Sequence, residues 1–294
     1  MWNILLALPA FAGMASAHMV MSEPAPLKAK NNPNSINIDY SYSNPLSLSG
    51  SDYPCKGYLS ALGTSEATPV DTWSAGDTRE VVISGHTIHG GGSCQVSLSV
   101  DGGNTFKTLH TYIGGCPAGD GHRLSFQIPS DTPSTDEGIV AWSWFNNLGN
   151  REMYMNCAVV RIENGGDGSD FNSRPGIFRA NTNGCRTVDS RDVMIPNPGP
   201  NVMLNNPDAV PPTGDCEGGP GADSGSGSGF GSGNEGHGGH GGDTSAGYKP
   251  GNDWPAWLQN HGWVFTVGSE QALLLLGMMM LSMCLHYTWF SNLV

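Results

Sequence analysis

Apolar and polar residues alternate in short runs between residues 18 and 195. The clearest runs are REVVISG (79–85), CQVSLSVDGG (94–103), RLSFQIP (123–129), IVAWSWF (139–145) and CAVVRIE (157–163). Alternation places apolar side chains on one face of a strand, and the Gly, Asn, Asp and Pro residues between the runs favour turns. No window has a sustained helical period. The pattern therefore predicts an all-β sandwich over residues 18–195.

The N-terminus departs from this pattern. Residues 4–14, ILLALPAFAGM, are apolar, and Ala15-Ser16-Ala17 follows them. An apolar run of this length before a small-x-small sequence predicts a secretory signal peptide over residues 1–17. Cleavage would make His18 the first residue of the mature chain. The alternative interpretation is a buried N-terminal strand or helix.

Residues 196–250 are rich first in Pro and Asn and then in Gly and Ser. We expect this segment to be a linker that cannot continue a sheet. Residues 251–294 end in an apolar stretch with no Lys or Arg after Lys249. This favours a C-terminal glycosylphosphatidylinositol (GPI) signal that anchors the protein to the membrane at the cell surface. A retained transmembrane helix and a buried core helix remain alternatives.

Seven cysteines are consistent with an exported, oxidised protein. Cys284 lies in the apolar tail, so six can pair within the rest of the chain. Six cysteines allow fifteen connectivities, and sequence alone does not choose among them. The absence of a C-x-x-C spacing disfavours a zinc–thiolate site. The six are Cys55, Cys94, Cys116, Cys157, Cys185 and Cys216.

The formal net charge is −13, and Lys249 is the last basic residue of the chain. The sequence has no basic stripe that would neutralise phosphates. This argues against a nucleic-acid partner.

His18 gains a second donor if the signal peptide is removed. An α-amine has an unperturbed pKa of about 7.7–8.0, so a metal displaces its proton near neutral pH. The amine and the imidazole then chelate one ion, and a second histidine would add a third nitrogen. Such a set suits Cu(II) better than Zn(II), Mg(II) or Ca(II). The alternative is a terminal histidine exposed by chance.

His89 is the candidate second histidine. His86 lies three residues earlier and would face the opposite side of an extended segment, so both are not expected to bind one metal. Gly90-Gly91-Gly92 follow His89 and allow close backbone approach. We expect them to leave a flat surface around a metal-bound His89. The alternative is a glycine-rich hairpin turn with solvated histidines.

The sequence EMYMNCAVV (152–160) reads as a strand. Glu152 and Tyr154 would then share a face directed to a polar site, with Met153 and Met155 directed to the core. The Tyr154 hydroxyl is a candidate axial neighbour for copper, and Glu152 is a candidate proton-transfer group. The alternative is an exposed edge strand with a half-buried tyrosine.

Together these segments resemble one family, the fungal chitin-active lytic polysaccharide monooxygenases of auxiliary activity family eleven. The resemblance covers residues 18–195. It is carried by AHMVMSEPAP, HGGGSCQVSLSVDGG (89–103), IGGCP (113–117), AWSWFNNLGNREMYMNCAVV (141–160) and the order of the cysteines.

The resemblance implies a histidine brace around one copper ion, formed by the amine and ring of His18 and the ring of His89. Tyr154 would lie on the axial side and Glu152 would be the nearby acid. Thr87 lies close to the metal, where we expect a smaller residue, and His86 is not a ligand. The implied fold is an immunoglobulin-like or fibronectin-III-like β-sandwich with long loops. The implied disulfides are Cys55–Cys157, Cys94–Cys116 and Cys185–Cys216.

The implied function is oxidative cleavage of β-1,4 bonds in chitin, by hydroxylation at C1 with C4 as a second possibility. It requires an external electron donor and O2 or H2O2 as co-substrate. We expect a monomer that acts at the fungal cell surface or wall. The second hypothesis is a non-catalytic, surface-anchored copper-binding protein that uses the same brace. The third is a structural wall adhesin.

Overall fold

The computed structural model describes residues 18–216 of the 294-residue chain. The predicted signal peptide, the predicted C-terminal anchor and residues 217–250 of the predicted linker lie outside the described residues. Within residues 18–216, no helix is long and apolar enough to cross a membrane.

The strands are β1 (Val20–Glu23), β2 (Asp71–Ser74), β3 (Thr78–Ser84), β4 (Gly92–Ser99), β5 (Lys107–Ile113), β6 (His122–Gln127), β7 (Thr135–Asn146), β8 (Met153–Glu163), β9 (Cys185–Arg186), β10 (Val202–Leu204) and β11 (Thr213–Gly214). The helices are α1 (Ser169–Ser173) and two short 3-10 turns, Cys55–Ala61 and Ser65–Ala67. The predicted all-β domain is confirmed.

Three sheets are present in the described part of the chain. One has six strands in the order β10-β5-β4-β7-β8-β2, one has three in the order β1-β3-β6, and one pairs β11 with β9. Apolar residues of the three-stranded sheet, such as Ile83 and Phe126, share one buried cluster with Val96 and Trp142 of the six-stranded sheet. The two sheets therefore form the predicted sandwich, with the main core between them.

The six-stranded sheet is covered on its other face as well. Met153 and Met155 of β8 are buried there with Phe145 and Phe178, whereas Tyr154 belongs to the core between the sheets. β8 lies between β7 and β2. The strand is therefore buried on both faces, and the edge-strand alternative is wrong. The prediction that the methionines point into a core is confirmed.

All three disulfides implied by the resemblance are present. Cys55 is bonded to Cys157, Cys94 to Cys116 and Cys185 to Cys216. The first joins the long loop after β1 to the middle of β8, and the second joins β4 to the loop after β5. These two bonds tie loops to β4, which begins three residues after His89, and to β8, which contains Tyr154.

The folded domain extends beyond residue 195, so the expectation that residues 196–250 cannot continue a sheet is wrong for the part of this segment that the structure describes, residues 196–216. Val202–Leu204 pairs in parallel with Thr111–Ile113 of β5. Proline lacks an N–H and is tolerated beside an edge strand, and the three paired residues contain none. Asn201 and Asn205 side chains add hydrogen bonds to the carbonyls of Leu109 and Gly114.

Candidate functional site

His18 lies two residues before β1, beside the loop that follows β3. Its backbone forms an isolated parallel bridge with Thr87. Gly85 makes this approach possible because it has no side chain: a Cβ there would overlap the His18 carbonyl oxygen and lie 3.0 Å from the Met19 Cα. Gly85 also has a φ of 137°, which L side chains rarely adopt. The close approach of two backbones therefore sets the position of His18.

Replacing Gly85 with alanine is expected to displace the chain at His18 and to lower the free energy of unfolding by about 2 kcal/mol or more, from steric overlap and backbone strain. Urea unfolding measures the loss, and NMR of the His18 imidazole reports the displacement. Gly63→Ala is the matched control: Gly63 also has a positive φ, of 75°, but a Cβ there meets no atom within 4 Å. Equal losses in the two variants would contradict the proposed contact.

His89 lies three residues before β4 and has a left-handed backbone, with a φ of 45°. A non-glycine residue in this region carries strain, which is common at functional sites. Two backbone hydrogen bonds hold the turn against the β7–β8 loop: the Leu148 N–H donates to the His89 carbonyl at 2.7 Å, and the Asn147 N–H donates to the Gly91 carbonyl at 3.0 Å.

The three glycines after His89 have different surroundings. Gly90 is exposed, whereas Gly91 and Gly92 are buried. A Cβ on Gly92 would overlap the Phe145 carbonyl oxygen, and one on Gly91 would lie 3.3 Å from the Gly115 Cα. The flat surface expected from all three residues thus includes only Gly90. The other two let the His89 turn pack directly on neighbouring backbone.

The rings of His18, His89 and Tyr154 converge. Their centroids lie 5.6 Å apart for the two histidines, 5.8 Å for His18 and Tyr154, and 6.5 Å for His89 and Tyr154. The histidine rings are close to parallel, with an angle of 26° between their planes. Three side chains from three separate segments thus surround one position.

Trp144 packs against the rings of Tyr154 and His89, and the sequence did not identify it as a site residue. Its ring lies 4.5 Å from that of Tyr154 and 5.9 Å from that of His89. Its indole N–H donates to the Gly91 carbonyl at 3.1 Å. Trp144 faces Tyr154 across the β7–β8 pair. The only signal in the sequence was its place in the alternating run AWSWF.

Glu152 and Tyr154 form a hydrogen-bonded pair. The Tyr154 hydroxyl donates to Glu152 Oε2 at 2.6 Å. Burial raises the pKa of Tyr154, and the hydrogen bond to Glu152 and its negative charge raise it further. Tyr154 therefore stays a neutral hydrogen-bond donor, and Glu152 is held at the edge of the group.

The donor atoms suit a metal that takes nitrogen ligands. His89 Nε2 is buried and lacks a hydrogen-bond partner among residues 18–216, which is costly for a polar atom unless something binds it. Burial is the main cause that lowers the pKa of His89, and this favours the neutral imidazole that metals require. No group of three His, Cys, Asp or Glu side chains in the described residues could hold a metal. The third donor of the brace would be the α-amine of His18.

The other histidines of the domain lie elsewhere. His86 is exposed, His110 stacks on Tyr112 in β5 with centroids 4.4 Å apart, and His122 accepts a hydrogen bond from the Ala118 N–H. Thr87 forms a backbone bridge with His18. Its position close to a bound metal stays a prediction.

No protein-family model matches the chain. Three relatives are similar to it. AA11 family lytic polysaccharide monooxygenase A of Aspergillus fumigatus is 44% identical over 189 residues, which cover 63% of this chain and 84% of that protein. An AA11 family lytic polysaccharide monooxygenase of Aspergillus oryzae is 34% identical over 214 residues, covering 64% of this chain and 48% of that protein.

AA11 family lytic polysaccharide monooxygenase B of A. fumigatus is 32% identical over 241 residues, covering 71% of this chain and 55% of that protein. The chain thus spans about half the length of two of these relatives and most of the length of the first. With its β-sandwich, its disulfides and this level of identity, the chain belongs to the AA11 family of lytic polysaccharide monooxygenases.

Proposed function

We propose that the mature chain is a copper-dependent monooxygenase that oxidatively cleaves chitin, with hydroxylation at C1 as the main outcome and C4 as a second. The observation that carries the proposal is the convergence of His18, His89 and Tyr154 around one position, with His89 Nε2 buried and unpaired among the described residues. The names of the AA11 relatives support the reaction class.

The position of the site suits a solid polymer. His18 and His89 are half-buried, and Leu148 beside His89 is 49% exposed. Two shallow cavities border the start of β7 and the end of β8, at the far end of these strands, and neither is lined by His18 or His89. The reacting groups therefore lie at the surface, where a chain in a crystalline polymer is reached without entering a cleft.

Copper would be held by the amine and imidazole of His18 and by the Nε2 of His89, with the ring of Tyr154 beside the two histidine rings. Bound copper, supplied with electrons by an external reductant, would provide the activation of O2 or H2O2. The close backbone contact between Gly85 and His18 positions the first ring, and the turn at His89 positions the second. Tyr154 holds the Glu152 carboxylate by its hydroxyl, so that Glu152 is oriented to hold or transfer a proton at the exposed side.

A non-catalytic copper-binding protein with the same brace is the second candidate. Metal capture needs the nitrogen donors alone, whereas the ordered Glu152–Tyr154 pair adds a proton-handling group, and this favours the enzyme. Mature, copper-loaded protein incubated with β-chitin and ascorbate is expected to release oligosaccharides with aldonic-acid ends, detected by mass spectrometry. Tight copper binding without such products would identify the capture protein instead. Failure to bind copper at sub-micromolar concentration would favour the adhesin.

Replacing Glu152 with glutamine is expected to lower the rate of chitin oxidation by about 100-fold or more, because a positioned proton-transfer group contributes about 10²–10⁴-fold. Copper affinity is expected to stay near that of the parent, since Glu152 is not a ligand. Product release and calorimetric copper titration measure the two effects. Glu163→Gln, at the exposed far end of β8, is the matched control. Full oxidation by the Glu152 variant would contradict the assigned role.

The same proposal includes the setting in which the protein works. We place it outside the cell after removal of residues 1–17, as a monomer held at the cell surface by a GPI or peptide anchor within residues 251–294. Its partners would be the polysaccharide surface and a reductant or redox partner. N-terminal sequencing of the secreted protein tests the removal of residues 1–17 directly, since the proposal requires the mature chain to begin at His18.

A further inference from the structure

Residues 147–152 join β7 to β8 and touch the candidate site at two places. Near its start, the loop holds the His89 turn through the hydrogen bond from the Leu148 N–H to the His89 carbonyl. At its end it carries Glu152. The loop contains Gly149 with a φ of 97°, and Leu148, Gly149 and Asn150 are exposed. Exposed connections of this kind are mobile unless other groups fix them.

The Arg151 side chain supplies such a fixation. Its Nη1 donates to the Asn146 carbonyl at 2.9 Å and to the Val188 carbonyl at 3.3 Å. Its Nη2 donates to the Asn147 carbonyl at 3.0 Å and to the Gly149 carbonyl at 2.7 Å, and its Nε also donates to Gly149. One guanidinium thus binds four backbone carbonyls.

These contacts join two segments. Two of the carbonyls, those of Asn147 and Gly149, belong to the β7–β8 connection, and the Asn146 carbonyl belongs to the last residue of β7. The fourth, of Val188, belongs to the turn at residues 187–190. The Ser190 N–H donates to the Asn147 carbonyl at 3.0 Å in the same place. The Arg151 side chain is 16% exposed, whereas its ion-pair partner Asp189 is 69% exposed at 3.5 Å. An ion pair so open to solvent contributes little to stability. The hydrogen bonds from Arg151 to the four carbonyls therefore fix the loop.

Side-chain amides complete the arrangement around Glu152. The Glu152 N–H donates to Asn146 Oδ1 at 3.2 Å, and Asn181 Nδ2 donates to the Glu152 carbonyl at 2.9 Å. Asn146 Nδ2 donates to the carbonyls of Leu148 and Asn150. Arg151 also binds the backbone carbonyl of Asn146. The Arg151 guanidinium and the Asn146 side-chain amide therefore both fix the backbone of residues 146–152.

We propose that Arg151 is a positioning residue whose guanidinium fixes the β7–β8 loop and thereby sets the relative placement of His89 and Glu152. The consequence for the copper site rests on the proposed function. The ordering of the loop by Arg151 does not require a bound metal. Lysine retains the charge but has one ammonium on a flexible stem, which does not span four carbonyls. Arg151→Lys therefore separates the geometry of the guanidinium from its charge.

Arg174→Lys is the matched control. Arg174 is also half-buried, and its Nη1 donates to the carbonyls of Thr108 and Leu109. Thr108 pairs with Ser97, five residues along β4 from Gly92, so this guanidinium lies about 17 Å along the sheet from the His89 end of β4. Asp189→Asn removes only the ion pair.

Amide hydrogen exchange of the metal-free mature chain tests the loop directly. Arg151→Lys is expected to speed exchange at the Leu148 and Glu152 amides at least about tenfold, while Arg174→Lys and Asp189→Asn leave both amides at the parent rate. Unprotected Leu148 and Glu152 amides in the parent protein would overturn the proposal. So would unchanged exchange in Arg151→Lys, or an equal acceleration in Asp189→Asn.

The electron paramagnetic resonance spectrum of the Cu(II)-loaded chain tests the consequence for the site. Arg151→Lys is expected to shift the spectrum, and Arg174→Lys to leave it unchanged, because only Arg151 binds the loop that holds the His89 turn. An unshifted Arg151→Lys spectrum would overturn the positioning role. A parent chain that binds no copper would refute the proposed function, while amide exchange would still decide whether Arg151 orders the loop.

Discussion

Adding one alanine in front of His18 of the mature chain is expected to lower its affinity for Cu(II) by at least about 100-fold. The reason is that the added residue converts the α-amine into an amide and removes one of the three nitrogen donors of the proposed brace. Loss of groups that only support a ligand already costs about 10–100-fold in metal affinity, so loss of a ligand is expected to cost at least as much. The imidazoles of His18 and His89, whose ring centroids lie 5.6 Å apart, are expected to stay in place in the extended chain.

Calorimetric titration of the extended and parent chains measures this difference. His86→Ala in a chain that begins at His18 is the matched control, because it removes an exposed imidazole three residues from His89 that is not assigned to the site. The control is expected to bind copper like the parent. Equal affinity of the extended and parent chains would refute the amine as a ligand, and a large loss in the control would show that the wrong histidine was assigned.

Removing the Cys55–Cys157 disulfide, by replacing both cysteines with alanine, is expected to lower the free energy of unfolding by about 4.7 kcal/mol. The bond links residues 102 apart, and the entropy of an unfolded chain restrained by such a loop gives about this value. Domains of this kind are stable by about 5–15 kcal/mol, so the loss is about 30% or more of the total. Cys157 lies in the same strand as Tyr154, so unfolding there also removes the site.

The matched variant lacks Cys94 and Cys116, which lie only 22 residues apart. The same relation gives about 3.4 kcal/mol for that loop, so the two variants are expected to differ by about 1.3 kcal/mol. Equilibrium urea unfolding of the mature chain measures both. A greater loss on removing the shorter loop would contradict the entropic ranking.

Several features of this protein followed from local sequence patterns. The run IVAWSWF lies within β7, and REVVISG lies within β3 except for its last residue, Gly85. Such runs predict strands because successive side chains of a strand point to opposite faces, so the pattern is contained in a few residues. Although they stay predictions, candidate roles for His18, His89, Tyr154 and Glu152 were also assignable from the sequence, since they depend on residue type and on the neighbouring residues. The disulfide pairing was not: six cysteines left fifteen connectivities, and family resemblance supplied the choice that the structure confirms.

The tertiary structure decided the remaining features, because they depend on contacts between distant segments. Tyr154 meets Trp144 only through the β7–β8 register, and His18 reaches Thr87 only because β1 pairs with β3 and Gly85 leaves room. The strand formed by Val202–Leu204 exists because an unpaired edge of β5 is available, which no property of a Pro/Asn-rich segment indicates. Arg151 had no distinguishing sequence signal, since its four carbonyl partners come together only when the β7–β8 connection and the 187–190 turn fold against each other. Local periodicity thus determined which residues form strands, and long-range pairing determined which of them share a site.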